Sequence, residues 1–266
     1  VAKPKITCVI PARNEESVIG KCLGSLKAQS LKVTLILVND GSTDNTRKIA
    51  EAYTDVVIDL PTHKESRIGT PWIPKILNIG FSEARKTDPD YLMVSGADSY
   101  YPSKYVEKLV QRMKKHGDVV ASGTFKGERT EFPGVRGSGR IFDAEWFETI
   151  GFRYPENYGF EHYPVYRALM EGRSVGVYGD INYILLRPTI MNSRKAFTWG
   201  KGMKALGYNP VYVAGRCILY GLKSPKIGVS MFSGYLTKVE KYGDISTFVS
   251  AYQARLMFTR VKSLIF

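Results

Sequence analysis

A chain of 266 residues is long enough to bury one large core, or a core with an appendage. Its 44% hydrophobic and 24% charged residues exclude disorder, while a net charge of +13 calls for an anionic partner: a phosphate-rich substrate, an anionic membrane face or nucleic acid. Cys8, Cys22 and Cys217 are too few and too scattered for a disulfide framework or a zinc site, which points to a reducing compartment.

Two apolar runs open the chain, and each ends in a polar turn. Ile6-Thr7-Cys8-Val9-Ile10 runs into Pro11-Ala12-Arg13-Asn14-Glu15-Glu16, with a helix expected over 17–28. Val33-Thr34-Leu35-Ile36-Leu37-Val38 runs into Asn39-Asp40-Gly41-Ser42-Thr43-Asp44, with a helix over 44–53. A short strand at 56–59 precedes an irregular stretch containing Pro and Gly. The helix over 73–86 carries Ile76, Leu77, Ile79, Gly80 and Ala84 on its inner face. A strand at 91–94 ends in Ser95-Gly96-Ala97-Asp98-Ser99; a helix over 103–115, capped by Ser103, and a strand at 119–122 complete the first half. Strands alternating with helices of this length predict an α/β fold with a doubly wound, mostly parallel sheet. The second half is less regular: a glycine-rich turn at 134–139, a short helix over 143–151 capped by Asp143, a helix over 160–172 and a strand at 174–178. From Ser193 onward the chain is basic, aromatic and increasingly amphipathic.

Open α/β sheets bind ligands at the carboxyl ends of their strands, where both early turns belong. Glu15 and Asp40 there face one ligand as hydrogen-bond acceptors, which suits a base and ribose better than a phosphate. Each turn alone also reads as a plain turn, with Asp44 as a helix cap. Asp98 follows the strand at 91–94 and reads as a helix cap or turn acid. Glu161 and His162 are adjacent proton acceptors, and histidine needs no tuning to act near neutrality. Arg194, Lys195 and Lys201 supply cations for a diphosphate, and Trp199 offers a flat face to a sugar ring or lipid headgroup. A solvated basic helix accounts for those charges equally well.

Taken in order, these segments resemble the family 2 glycosyltransferases over about residues 5–205, and among them the membrane-associated, cellulose-synthase-like and lipid-linked-glycan members. The resemblance implies the GT-A fold, a doubly wound central sheet with helices on both faces, here followed by a basic amphipathic helical extension. It divides the chain into a catalytic domain over 1–205, with a nucleotide-binding half at 1–100 and an acceptor-side half at 101–205, and an extension over 206–266. By resemblance Glu15 contacts the ribose and Asp40 the base, with Pro11, Ala12 and Arg13 beside them. Asp98, with Ala97, stands where the family has Asp-x-Asp, which holds a divalent cation bridging the donor phosphates; Gly96 replaces the first aspartate. Pro74-Lys75-Ile76-Leu77-Asn78-Ile79-Gly80 is similar to a helix beside the sugar pocket, which singles out Asn78. In Glu161-His162 the family has Glu-Asp, whose carboxylate deprotonates the acceptor hydroxyl; Glu161 keeps the carboxylate and His162 takes the aspartate position. Trp199, Lys201 and Gly202 fit the continuation of a Gln-x-x-Arg-Trp motif in which Lys195 and Thr198 replace glutamine and arginine.

The implied activity is inverting transfer of a hexose from a nucleoside-diphosphate sugar, GDP-mannose ahead of UDP-glucose, with Mg2+ or Mn2+, to a lipid-linked glycan or polyprenyl phosphate. Residues 211–222 are apolar but only about a dozen long and contain Arg216. A spanning helix needs roughly 20. The Lys-, Tyr- and Phe-rich stretches over 208–266 instead suit an anionic lipid surface at the cytoplasmic face, with spanning segments expected beyond Phe266. An ordinary helical layer fits the same pattern. A nucleotidylyltransferase would want glycines after the first strand, where Pro11-Ala12-Arg13-Asn14 has none. A nucleic-acid module would gather its cations on one face and bind in a steeply salt-dependent way; no nucleic-acid partner is expected. Gly96 and His162 keep open an inactive sugar-nucleotide binder.

Overall fold

The computed structural model describes residues 3–65, 67, 69–128, 133–188 and 190–265, with side chains as far as residue 257. Phe266, beyond which spanning segments are expected, lies outside the described residues. In chain order the elements are β1 (Ile6–Ala12), α1 (Ile19–Lys27), β2 (Val33–Asn39), α2 (Thr46–Glu51), β3 (Val56–Asp59) and α3 (Trp72–Arg85). Next come β4 (Tyr91–Val94), β5 (Ser99–Tyr100), α4 (Tyr105–His116), β6 (Asp118–Phe125), β7 (Arg140–Asp143) and α5 (Ala144–Thr149). The remainder is α6 (Tyr163–Met170), β8 (Ser174–Leu185), α7 (Ser193–Ala205), α8 (Pro210–Lys223), α9 (Pro225–Leu236) and α10 (Ser246–Ile265).

The chain folds as two compact units. The first is Val1–Ser66, Lys75–Tyr154 and Glu171–Thr189; the second is Arg67–Pro74, Pro155–Met170 and Ile190–Phe266. Residues 155–170 and 190–205, expected in the catalytic domain, thus group with the helices of 206–266.

The first unit holds an eight-stranded sheet in the order β3-β2-β1-β4-β7-β6-β8-β5. The pairs β3–β2, β2–β1, β1–β4 and β6–β8 are parallel, which makes the sheet mostly parallel as expected. β7 runs antiparallel to both β4 and β6. Cys8, Val9, Ile10, Leu35, Ile36 and Leu37 are fully buried, the continuous apolar pattern of parallel strands covered on both faces. α3 comes down on this sheet at Gly80, where a Cβ would lie 2.4 Å from Val9 Cγ1 and 2.9 Å from Val38 Cγ2. Only a glycine permits that approach.

Several expectations need correction. β7 has no counterpart in the sequence reading, because its four residues lie between a glycine-rich turn and a capped helix. β8 continues to Leu185, well past the expected end at 178. Ile79, expected on the inner face of α3, is 39% exposed, and Phe81 is the buried residue instead. Ser103 does not cap α4: the cap position is Lys104, with no side-chain cap bond, and the Ser103 carbonyl accepts from Ser30 N. Asp143 does cap α5, accepting from Trp146 N at 2.9 Å.

In the second unit, Tyr166, Ala196, Met203, Leu206, Val213 and Met231 form a separate buried cluster. α7 and α9 meet backbone to backbone: a Cβ on Gly200 would lie 2.1 Å from Met231 O, and one on Gly234 2.0 Å from Phe197 O.

Candidate active site

Because β2, β1 and β4 are neighbours and parallel, the turns that leave their carboxyl ends lie side by side. Polar side chains lace the first two turns together. Asn14, at φ 53°, donates from its backbone N to Ser42 Oγ and accepts from Thr43 N at 2.8 Å. Glu15 N donates to Thr46 Oγ1 at 2.6 Å, and Glu16 Oε2 accepts from both Asn45 N and Asn45 Nδ2 at 3.0 Å. Asp44 Oδ1 accepts from Thr46 N, but the cap position of α2 is Asn45, with no side-chain cap bond.

Asp40 is 5% exposed, and its Oδ1 lies 3.1 Å from His63 Nε2. His63 arrives on the segment after β3, which folds back over the second turn. A Cβ on Gly41, at φ +65°, would lie 2.6 Å from both Pro61 O and Thr62 Cα, so that closure requires glycine. Arg13 ties the same segment down by donating to His63 O and, at 2.7 Å, to Glu65 O. Ala12 is buried and offers only its backbone; its carbonyl accepts from Asp40 N. Pro11 is partly exposed beside it.

Asp98 follows β4 on a loop with unusual support. Ser138 Oγ accepts from Gly96 N at 2.8 Å and lies within hydrogen-bond distance of Ser99 Oγ and Tyr101 OH. The turn carrying Ser138 is itself held by Arg140, which is wholly buried and donates to Arg136 O and Val135 O. Ala97 points into the core. β5 then pairs with the end of β8, Leu186 N donates to Asp98 O, and Arg187 is thereby placed beside the acids. Arg187 Nη2 lies 2.7 Å from both carboxylate oxygens of Glu15 and 3.6 Å from Asp98 Oδ2. Burial raises the Glu15 carboxyl above its usual range, and the Arg187 guanidinium pulls against that shift. The arginine is about half exposed, so the bridge is screened and exchangeable. A cleft lined by Lys3, Arg85, Asp88, Asp90 and Glu148 lies by the first residue of β4, away from these turns, and holds none of the candidate residues.

Asn78 uses both ends of its amide on one partner: Nδ2 donates to Tyr154 O at 2.9 Å and Oδ1 accepts from Tyr154 N at 2.8 Å. It is a clamp between α3 and the segment after α5.

The second unit carries the other candidates. Glu161 and His162 are exposed at the turn before α6. Gly159, at φ +74°, brings that turn onto α7, where a Cβ would meet Gly202 O and Leu206 Cδ1 at 2.9 Å. Lys201 reaches the same turn, with Nζ 3.4 Å from Tyr158 OH and over the Tyr158 and Phe197 rings. Arg194 and Lys195 lie in the first turn of α7, capped by Asn192, whose Oδ1 accepts from Lys195 N. Arg194 and Lys201, seven residues apart, share a helix face. Trp199 is 37% exposed, with the Arg216 guanidinium 5.6 Å from its ring centre.

Among the described residues no group of three His, Cys, Asp or Glu side chains converges as a metal cage. The oxygen set around Asp98 nevertheless fits a hard divalent cation, which often takes one or two carboxylates and completes its shell with phosphate oxygens and water. A Cβ at Gly96 would lie 3.2 Å from Asp98 Oδ1 and 3.4 Å from Ser138 Oγ, so the glycine packs closely against the remaining carboxylate. Arg187, His63, Ser138 and Arg140 have no local sequence signal; each is brought in by strand pairing or a folded-back loop.

Comparison with known proteins gives the family and the fold. The model of the family described as Glycosyl transferase family 2 matches residues 7–180. A stretch of 55 residues, 21% of the chain, is 47% identical to 4,4'-diaponeurosporenoate glycosyltransferase of Staphylococcus aureus, and covers 15% of that relative's length. Mannosyltransferase PcManGT from Pyrobaculum calidifontis, solved with GDP-Man and Mn2+, has a TM-score of 0.60 at 16% identity, covering 89% of this chain and 71% of that one. TarS of S. aureus gives 0.56 at 18% identity, with 75% of this chain and 63% of that chain covered. Glucosyl-3-phosphoglycerate synthase from Mycobacterium tuberculosis, solved with Mn2+, UDP and phosphoglyceric acid, gives 0.53 at 19% identity over 73% and 75%. The chain thus spans well under two thirds of its curated relative and just under two thirds of TarS. The structural likeness shows a GT-A fold. With that fold and a family model matched along most of the sheet, the chain belongs to glycosyl transferase family 2 and carries that family's enzymatic domain.

Proposed function

We propose that the chain moves a hexose, with inversion, from a nucleoside-diphosphate sugar to a lipid-linked glycan or polyprenyl phosphate at the cytoplasmic face of a membrane. The observation that carries the donor half of this reading is the row of acids at the ends of β2, β1 and β4, with Arg187 bridging Glu15 and Asp98. Asp40, sheltered by His63, accepts from the base, and Glu15 accepts from the ribose hydroxyls. Arg187 exchanges its carboxylate partners for diphosphate oxygens, a planar fork suited to phosphate. A divalent cation held by Asp98 would supply positive charge to the departing diphosphate. Ser138 and Arg140 keep the Asp98 loop in place, and Asn78 fixes the neighbouring backbone. In the second unit Glu161 takes the proton of the acceptor hydroxyl, with His162 as its neighbour, and Arg194, Lys195 and Lys201 add cationic charge. Trp199, partly exposed, offers the acceptor its ring.

GDP-mannose is preferred because of the resemblance to lipid-linked-glycan members and because the mannosyltransferase with TM-score 0.60 was solved with GDP-Man. A thermal-shift screen of GDP-, UDP- and dTDP-sugars, each with and without Mn2+, tests the donor. The largest rise in Tm should come from GDP-mannose with Mn2+. A larger rise with UDP-glucose would reassign the nucleotide, and no rise with any sugar nucleotide would refute the donor site. Gly96 and the His162 replacement support a second reading, a binder without turnover, which requires donor binding with no sugar transferred to polyprenyl phosphate.

A further inference from the structure

Helices α8 and α9 form a hairpin inside the second unit, and its outer face is apolar. Val211, Ile218 and Leu222 on α8 recur at i, i+7 and i+11, and Val229, Phe232 and Leu236 on α9 at i, i+3 and i+7. All six are between 43% and 79% exposed. A Cβ on Gly228 would lie 2.6 Å from Cys217 O and 2.8 Å from Gly221 Cα, so the two helices touch through their backbones and their stripes run side by side. A shallow groove lined by Ala214, Ile218, Val229 and Phe232 joins the stripes. Single exposed aliphatics are ordinary on a protein surface; a contiguous double stripe is not.

The charge around this face identifies its occupant. Residues 210–236 contain Arg216, Lys223 and Lys226 and no Asp or Glu. Lys223 and Lys226 flank the tight connection between the helices and are exposed. Across 206–266, eight Lys or Arg stand against Glu240 and Asp244. Two copies of such a face would bring like charges together, whereas an anionic lipid surface offers both an apolar layer and opposite charge. With 14 and 12 residues, α8 and α9 are too short to cross a bilayer, and among the described residues no helix is long and apolar enough to do so.

We infer that the α8–α9 hairpin lies in the interfacial plane of an anionic bilayer, its two aliphatic stripes sunk among the acyl chains and Lys223 and Lys226 on the headgroups. This rests on the proposed placement at a membrane face and deepens it, whereas the donor chemistry is tested by the sugar-nucleotide thermal shift and fails separately. Sedimentation of the chain with vesicles of phosphatidylcholine alone, or of phosphatidylcholine mixed with phosphatidylglycerol, tests it. Binding should require phosphatidylglycerol and weaken with salt. The pair Ile218→Asp with Val229→Asp, and the gentler Leu222→Ser with Leu236→Ser, should each cut binding by roughly tenfold or more. Lys223→Glu with Lys226→Glu should do the same on anionic vesicles. All variants should retain the helical circular dichroism and the sugar-nucleotide thermal shift of the parent. Failure to bind anionic vesicles, or binding that the gentler pair leaves unchanged, would overturn the inference. So would a lipid-free dimer, seen by light scattering, that the same substitutions dissolve, because the face would then belong to a second copy.

Discussion

Replacing Asp98 by alanine should abolish the Mn2+-dependent part of the sugar nucleotide's stabilising effect. A ligand present at a hundredfold excess over Kd stabilises by about 2.7 kcal/mol. In a chain of this size that corresponds to a rise in Tm of roughly 5–10 °C. The Asp98 side chain is 29% exposed and pairs with the half-exposed Arg187, so its removal should change the unliganded Tm little. What remains after D98A is the part contributed by Asp40, Glu15 and Arg187. That remainder should fall in turn with Arg187→Gln, which removes the guanidinium that bridges Glu15 and Asp98. A Mn2+-dependent shift that survives D98A would refute the role given to Asp98.

Glu161→Gln should leave sugar-nucleotide binding intact and lower transfer to the acceptor by about 10²–10⁴-fold, the usual contribution of a positioned base. That is roughly 3–5 kcal/mol on the barrier. Glutamine preserves size and hydrogen bonding while losing the capacity to hold a proton. The residue is exposed at a turn fixed by Gly159, so the isosteric substitution should leave the fold in place. The readouts are the donor-induced thermal shift and the rate of labelled sugar appearing in the lipid phase. Full activity in E161Q would pass the role to His162, and His162→Ala should then show the loss instead.

How far the sequence revealed this site depended on whether a residue's neighbours are local. Glu15 and Asp40 follow apolar runs directly, and turn chemistry next to a strand is visible within a few residues. Asp98 is visible for the same reason. Arg187 is not: it meets Asp98 only because β5 pairs with the end of β8, and nothing near residue 187 announces that pairing. His63 reaches Asp40 through a loop that closes on Gly41, a contact set by one missing Cβ. Arg140 has no counterpart in the sequence reading, and it is buried against two carbonyls of its own turn. β7 escaped because its four residues lie between two stronger signals, a glycine-rich turn and a capped helix. The hairpin face of α8 and α9 was half legible. Amphipathic composition suggested a lipid surface, but only the glycine contact between the helices aligns the two stripes.

The central claim is that one crevice at the ends of β2, β1 and β4 holds the sugar nucleotide, and a crystal structure of the chain with GDP and Mn2+ tests it most directly. The base should lie against Asp40, the ribose against Glu15, the diphosphate beside Arg187, and the ion within about 2.0–2.6 Å of an Asp98 oxygen. A nucleotide bound anywhere else on the chain, or a diphosphate whose cation has no contact with Asp98, would contradict it.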